Sequence, residues 1–143
     1  MVARTSRDSL AGEQAMITCG IGCRRGTRAE DIEAVIRTAR DTLGCADGIA
    51  IIATETSKAN EPGLRQAADR LGAKLVSFTT DELESVADAL LTVSPAALRH
   101  KNVPSVAEAA ALLAAGTNAR LLAPRIANAT ATCAFAIGVG SRP

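Results

Sequence analysis

The chain contains no tryptophan and no tyrosine, and its only aromatic residues are Phe78 and Phe135. Bases stack on aromatic faces, so this scarcity removes the usual platforms for single-stranded nucleic acid. An excess of charge is missing as well. Sixteen basic and 15 acidic residues leave a net charge of +1, which gives no field for binding a run of phosphates. Nucleic acid is not an expected partner.

His100 is the single histidine, and the four cysteines (Cys19, Cys23, Cys45, Cys133) form neither paired C-x-x-C ligands nor a disulfide framework. No metal and no cofactor is expected; thiols buried in a reduced, cytoplasmic protein are. No apolar run approaches the ~20 residues that cross a bilayer. Residues 1–14 lack an apolar core and carry Asp8 and Glu13, so they read as a flexible leader ahead of one domain over 15–143. Lysine is scarce too, with three lysines among the 16 cations, which makes Lys58 more informative than an average arginine.

What is present is ordered. Residues 15–21 are a short apolar run ending in glycine, a buried strand. Thr27 with Glu30 matches a capping box, and Ile32, Val35, Ile36, Ala39 and Leu43 recur at helical spacing up to Gly44. Residues 49–53 are continuously apolar, as in a strand covered on both faces. A helix on Leu64, Ala67, Ala68 and Leu71 stops at Gly72, and a strand follows over 75–78. Thr79 with Glu82 opens a helix on Leu83, Val86, Ala87 and Leu90, and Ser105 with Glu108 opens another that runs to Gly116. Residues 119–126 and 130–138 read as an antiparallel hairpin turning at Asn128-Ala129, with Pro124 marking an edge or a bulge. The alternation predicts an α/β fold: a three-layer α/β/α sandwich with a mostly parallel sheet and a C-terminal antiparallel hairpin.

Ligands of such sheets sit beyond the carboxyl ends of the strands. Three stretches should gather there: Gly20-Ile21-Gly22-Cys23-Arg24-Arg25-Gly26-Thr27, the polar loop from Thr54 past Lys58 and Glu61 to Gly63, and Thr79-Thr80-Asp81. The loop around Ser94-Pro95 and Ser105 is placed to close over them. Glycines let a backbone approach a ligand, and free amides at a helix start favour anions. Two built-in arginines point to a ligand with several carboxylates or phosphates. An alternative is a nucleotide-binding domain using the G-x-G-x-x-x-G turn, although Glu55 lies well past the ~20-residue interval expected of its ribose contact.

Taken together, Gly20-Ile21-Gly22-Cys23-Arg24-Arg25-Gly26, then Ile52-Ala53-Thr54 with Lys58, Glu61 and Gly63-Leu64, then Ser94-Pro95, then Ser105-Val106-Ala107-Glu108-Ala109-Ala110-Ala111 resemble the CobE/CbiG C-terminal domain family of cobalamin biosynthesis. The resemblance runs from about Met16 to the end, with Asn102 and Pro104 standing where the family has glycines and Arg125 where lysine is common. It implies a domain acting in corrin ring synthesis. Longer CbiG proteins open a lactone of cobalt-precorrin-5A and release acetaldehyde; this chain resembles the stand-alone CobE type. The implied ligand is a polycarboxylate precorrin held by Gly20, Gly22, Cys23, Arg24, Arg25, Gly26, Thr54, Ser94 and Ser105, with other pathway enzymes as further partners. Were it a hydrolase, Glu61 would activate water and Lys58 would stabilise the oxyanion. A non-catalytic carrier is the equal expectation.

Overall fold

The computed structural model of the chain describes residues 16–44, 48–91, 105–116 and 118–139. The expected leader, Cys45, Ser94-Pro95, His100, Asn102 and Pro104 lie outside the described residues. The order is β1 (Met16–Cys23), α1 (Ala29–Leu43), β2 (Ile51–Glu55), a 3-10 turn (Thr56–Lys58), α2 (Pro62–Leu71), β3 (Lys74–Phe78), α3 (Thr80–Glu84), a second 3-10 turn (Ala87–Ala89), α4 (Val106–Ala115), β4 (Arg120–Leu121), β5 (Ile126–Ala127) and β6 (Ala131–Gly138).

The six strands form one sheet in the order β3-β2-β1-β6-β4, with β5 also on β6. β1, β2 and β3 are parallel neighbours, while β6 pairs antiparallel with β1, β4 and β5. Only β6 therefore runs against the other five described strands. Side chains alternate across β1. Ile17, Cys19 and Ile21 join Ile32, Val35, Ile36 and Leu64 in the core under α1 and α2. Thr18 and Gly20 face α4: the Thr18 hydroxyl donates to the Ala111 carbonyl at 2.8 Å, and Ala107 lies over Gly20. The result is the expected three layers.

The direction of the helices matters most for function. α1, α2 and α3 each follow the carboxyl end of a strand, so their N-termini lie at that edge of the sheet. α4 does the same from the other face. Its first turn covers Gly20, whereas Ala115 at its end covers Gly138, the partner of Met16.

Several local expectations change. β1 continues to Cys23, so Gly20 and Gly22 are strand residues and not part of the turn. The Thr27–Glu30 box does not form: Arg28 is the N-cap of α1, and the buried Thr27 hydroxyl turns back to donate to the Arg24 carbonyl at 2.7 Å. Thr79 and Glu82 do form a complete box, but α3 ends at Glu84, where the Ser85 hydroxyl donates to the Glu82 carbonyl and competes with the helical ladder. Between β4 and β5 the register against β6 shifts by two residues, from Leu121↔Ala136 to Ile126↔Cys133, a bulge around Pro124. A proline there removes a donor that the ladder does not need.

Candidate functional site

Of the predicted motif, Arg24, Arg25 and Gly26 form the turn between β1 and α1. Gly26 has φ +80°, a left-handed backbone that glycine adopts without strain. Hydrogen bonds fix its shape. Arg24 N–H donates to the Thr130 carbonyl at 3.0 Å, and Thr27 N–H donates to the Arg24 carbonyl at 3.2 Å. Gly26 N–H donates to Glu61 Oε1 at 2.7 Å, which ties the turn to a residue 35 positions away. Both arginine side chains are exposed.

Glu61 comes from the loop after β2, which consists of successive tight turns: Ala59 N–H donates to the Thr56 carbonyl and Glu61 N–H to the Lys58 carbonyl, both at 3.1 Å. Glu61 is the N-cap of α2, yet its side chain makes no cap bond to its own helix. It reaches across because α2 lies unusually close. A Cβ on Gly63 would stand 2.0 Å from the Thr27 carbonyl oxygen, so only glycine lets the first turn of α2 touch the backbone ahead of α1.

Cys23 joins this group. Burial pushes its thiol above the ordinary range, the Lys58 ammonium opposes that rise, and the Glu61 and Glu55 carboxylates reinforce it. The fold thus gathers Cys23, Glu55, Lys58 and Glu61 at the carboxyl edge. Beside them, a shallow cleft of about 260 Å³ opens between the turn and the hairpin, lined by Gly22, Cys23, Arg24 and residues 128–132. A second hollow of about 240 Å³ lies between the starts of α1 and α2, where Gly26, Thr27, Pro62, Gly63 and Gln66 meet. Arg25 lines neither. A wider hollow of about 640 Å³ sits at the opposite end of α1, around Arg37, Arg40, Asp41 and Leu71, and holds none of the predicted site residues.

Gly20, Thr54 and Ser105 are placed away from both hollows, and Gly22 is crowded at the cleft wall. The Cβ position of Gly20 is filled by α4, 1.8 Å from the Ala107 carbonyl oxygen, and that of Gly22 is 2.8 Å from Thr132 Oγ1. A pyrophosphate has no room to approach over Gly20, which removes the ground for the nucleotide alternative. Thr54 is buried in β2 and its hydroxyl donates to the Ile21 carbonyl at 2.8 Å. Ser105 is buried on the other face, capping α4 by accepting the Glu108 N–H.

Two residues had larger roles than their patterns suggested. Asn128 Oδ1 accepts the Thr130 and Ala131 amides while its Nδ2 donates to the Asp31 carbonyl, pinning the hairpin to α1. An Asn two residues before a Thr at a hairpin tip was the available signal. Glu108 is fully buried, and its carboxylate accepts Leu91 N–H at 2.7 Å and Arg125 N–H at 2.9 Å. It is more a bridge than a cap. Among the described residues no cluster of three or more His, Cys, Asp or Glu is arranged to hold a metal, and no helix is long and apolar enough to cross a membrane.

The comparisons with known proteins agree with this architecture. Residues 17–136 match the family model described as cobalamin synthesis G C-terminus. Protein CobE of Sinorhizobium sp is 32% identical over 123 residues, 85% of this chain and 80% of CobE. The crystal structure of CobE, described as a protein from the cobalamin (vitamin B12) biosynthetic pathway, superposes with a TM-score of 0.76 at 33% identity, covering 90% of this chain and 94% of that one. Cobalt-precorrin-5A hydrolase of Priestia megaterium is 29% identical over 104 residues, 72% of this chain but 27% of the hydrolase. The chain belongs to the CobE/CbiG C-terminal family of cobalamin biosynthesis proteins.

Proposed function

We propose that this chain binds a polycarboxylate precursor of the corrin ring at the carboxyl edge of its sheet and presents it to other enzymes of the pathway. The observation that carries this reading is the exposed Arg24–Arg25 pair, with Arg24 on the rim of the 260 Å³ cleft. Neither guanidinium is committed to an ion pair among the described residues, and the planar fork of arginine matches carboxylates in two-point contacts. Acetate and propionate arms around a macrocycle supply such carboxylates. The ring itself would lie over the cleft and the hairpin tip, since 260 Å³ holds only a part of it.

Absorbance titration of the protein with hydrogenobyrinate tests this. A hydrogen bond to a charged group contributes about 1.5–3 kcal/mol, so R24A should weaken binding by roughly tenfold or more. Equal affinity for the wild type and the R24A/R25A double variant would refute the reading.

A second reading, hydrolysis of a precorrin lactone, is favoured by one observation: Lys58 and Glu61 sit on one tight turn at this edge, the Glu61 N–H donating to the Lys58 carbonyl at 3.1 Å. Glu61 would act as base and Lys58 would steady the oxyanion. Acetaldehyde release from a cobalt-precorrin-5A substrate, abolished in E61Q, would establish it; binding without release leaves the carrier.

A further inference from the structure

We infer that Glu61 holds the place of a ligand carboxylate, closing the receptor at Gly26 in the empty protein and yielding it when an acid-bearing ligand arrives. This inference rests on the binding reading above and adds to it how the site is gated and which atom receives the ligand.

The argument begins with an N-cap that does not cap. The backbone of Glu61 is extended (φ −63°, ψ 123°), the usual N-cap conformation, but its carboxylate leaves the amides of α2 alone and accepts the Gly26 N–H at 2.7 Å instead. A capping side chain normally satisfies its own helix, so this one satisfies a different demand. Gly26 is exposed, and its N–H reaches a side-chain oxygen instead of a backbone carbonyl. The neighbouring amides of Arg24 and Thr27 are both spent on carbonyls. Gly26 N–H is thus the turn donor that a side-chain carboxylate, and not a carbonyl, has captured.

The surroundings suit a carboxylate from any source. Gly63 brings the starts of α1 and α2 side by side, and the partial positive charges of both act on the same small volume. The hollow of about 240 Å³ next to Gly26 has room for an acetate-sized group. Arg24 and Arg25 flank Gly26 in sequence and are exposed. Glu61 itself is half-buried at the end of a loop whose 3-10 turn holds no buried residue, so its side chain can swing out without dismantling a core element. A ligand carboxylate taking the Gly26 N–H would leave Glu61 free beside Lys58.

The test uses 15N-labelled protein, sodium acetate as the probe and sodium chloride at equal ionic strength as the control. In Glu61→Ala the Gly26 amide resonance should move saturably with acetate and not with chloride, while in the wild type acetate should leave it nearly still. Glu61→Gln, which keeps the side-chain shape, should show the same response more weakly, and it serves if Glu61→Ala folds poorly. Removing the internal competitor should also tighten hydrogenobyrinate binding by about tenfold, equivalent to ~1.4 kcal/mol. A Gly26 amide indifferent to acetate in both variants overturns the inference, as does weaker hydrogenobyrinate binding by Glu61→Ala. The failure of the broader reading looks different: acetate still moves Gly26 in Glu61→Ala, but hydrogenobyrinate binds no form of the protein.

Discussion

Replacing Gly20 by alanine separates packing from ligand contact at the centre of the signature motif. The new Cβ would stand 1.8 Å from the Ala107 carbonyl oxygen, 2.7 Å from Ala111 N and 2.8 Å from the Ala107 carbonyl carbon. All three are backbone atoms of one helix, so no rotamer change relieves the clash. A carbon–oxygen contact needs about 3.3 Å, which means α4 must lift from β1 by roughly 1.5 Å. Gaps of 0.5–1 Å already forfeit a quarter to a half of a van der Waals contact. The buried face of α4 is built almost wholly of alanine (Ala107, Ala110, Ala111, Ala114), and such short side chains have no reach to refill the space. The Thr18–Ala111 hydrogen bond is broken as well.

Overpacking of this kind costs about 1–3 kcal/mol, and leaving a buried polar group unpaired adds about 1–3 kcal/mol. A total near 4 kcal/mol is a large share of the ~5–15 kcal/mol that holds a domain together. With a urea slope of about 2 kcal/mol/M, the midpoint followed by circular dichroism should fall by about 2 M. Gly48→Ala is the control, since a Cβ there meets nothing within 4 Å, and it should move the midpoint very little. A G20A protein with a normal midpoint but lost ligand binding would refute the packing account and return Gly20 to the binding site.

Three further outcomes follow from the same geometry. Gly63→Ala, whose Cβ would lie 2.0 Å from the Thr27 carbonyl oxygen, should push α2 from α1, destabilise by about 2 kcal/mol and shift the Gly26 amide resonance as the Glu61 contact lengthens. Glu108→Ala strips the acceptor from two partly buried amides and should cost about 3 kcal/mol; Glu108→Gln should cost less but still measurably, because one amide N–H then faces an NH2 donor. Burial and the neighbouring Cys133 hold the Cys19 thiol well above its ordinary range. The folded state therefore keeps a proton that the unfolded chain releases near pH 8.5, so stability is full below that pH and falls as pH rises past it, by up to ~1.4 kcal/mol per unit. Urea midpoints between pH 7 and 10 should show the decline, and Cys19→Ala should lessen it, leaving the smaller share of Cys23.

Much of the architecture was legible because it rests on local signals. Period-3.6 apolar patterns found α1, α2 and α4, the apolar run over 49–53 found the covered strand Ile51–Glu55, and the complete Thr79–Glu82 box lies within four consecutive residues. Pro124 announced its bulge by chemistry alone. The readings that changed depend on contacts remote in sequence. Gly20 and Gly63 carry no local sign that another helix's backbone fills the space beside them. Thr27 resembles a cap until the Arg24 carbonyl competes for its hydroxyl, and Glu108 resembles a capping-box acid until segments 17 residues away on either side supply amides. Thr54 and Ser105, chosen for their polarity, satisfy buried backbone groups. The part of the site legible in sequence was its charge: two adjacent arginines, a rare lysine and a glutamate in loops that the topology brings to one edge.

That charge has a consequence for specificity. Four helix N-termini at one edge would make a strong general attractor for anions, each equivalent to roughly half a positive charge. Acidic side chains close to these ends offset part of it. Glu61 takes the Gly26 amide, Glu82 the Thr79 amide and Glu108 the Leu91 and Arg125 amides, while Glu30, in the first turn of α1, accepts its own backbone N–H, which together with Arg28 and Arg70 lowers its pKa. Positive charge at the turn is then carried by Arg24 and Arg25, on exposed side chains adjacent in sequence. On the binding reading proposed above, a lone phosphate or acetate would gain little at Gly26, because it must displace a resident carboxylate to reach that amide. On the same reading, a ligand with several carboxylates would engage both guanidiniums first and use that energy to displace Glu61, so the internal acids would make the edge select for multiplicity of charge.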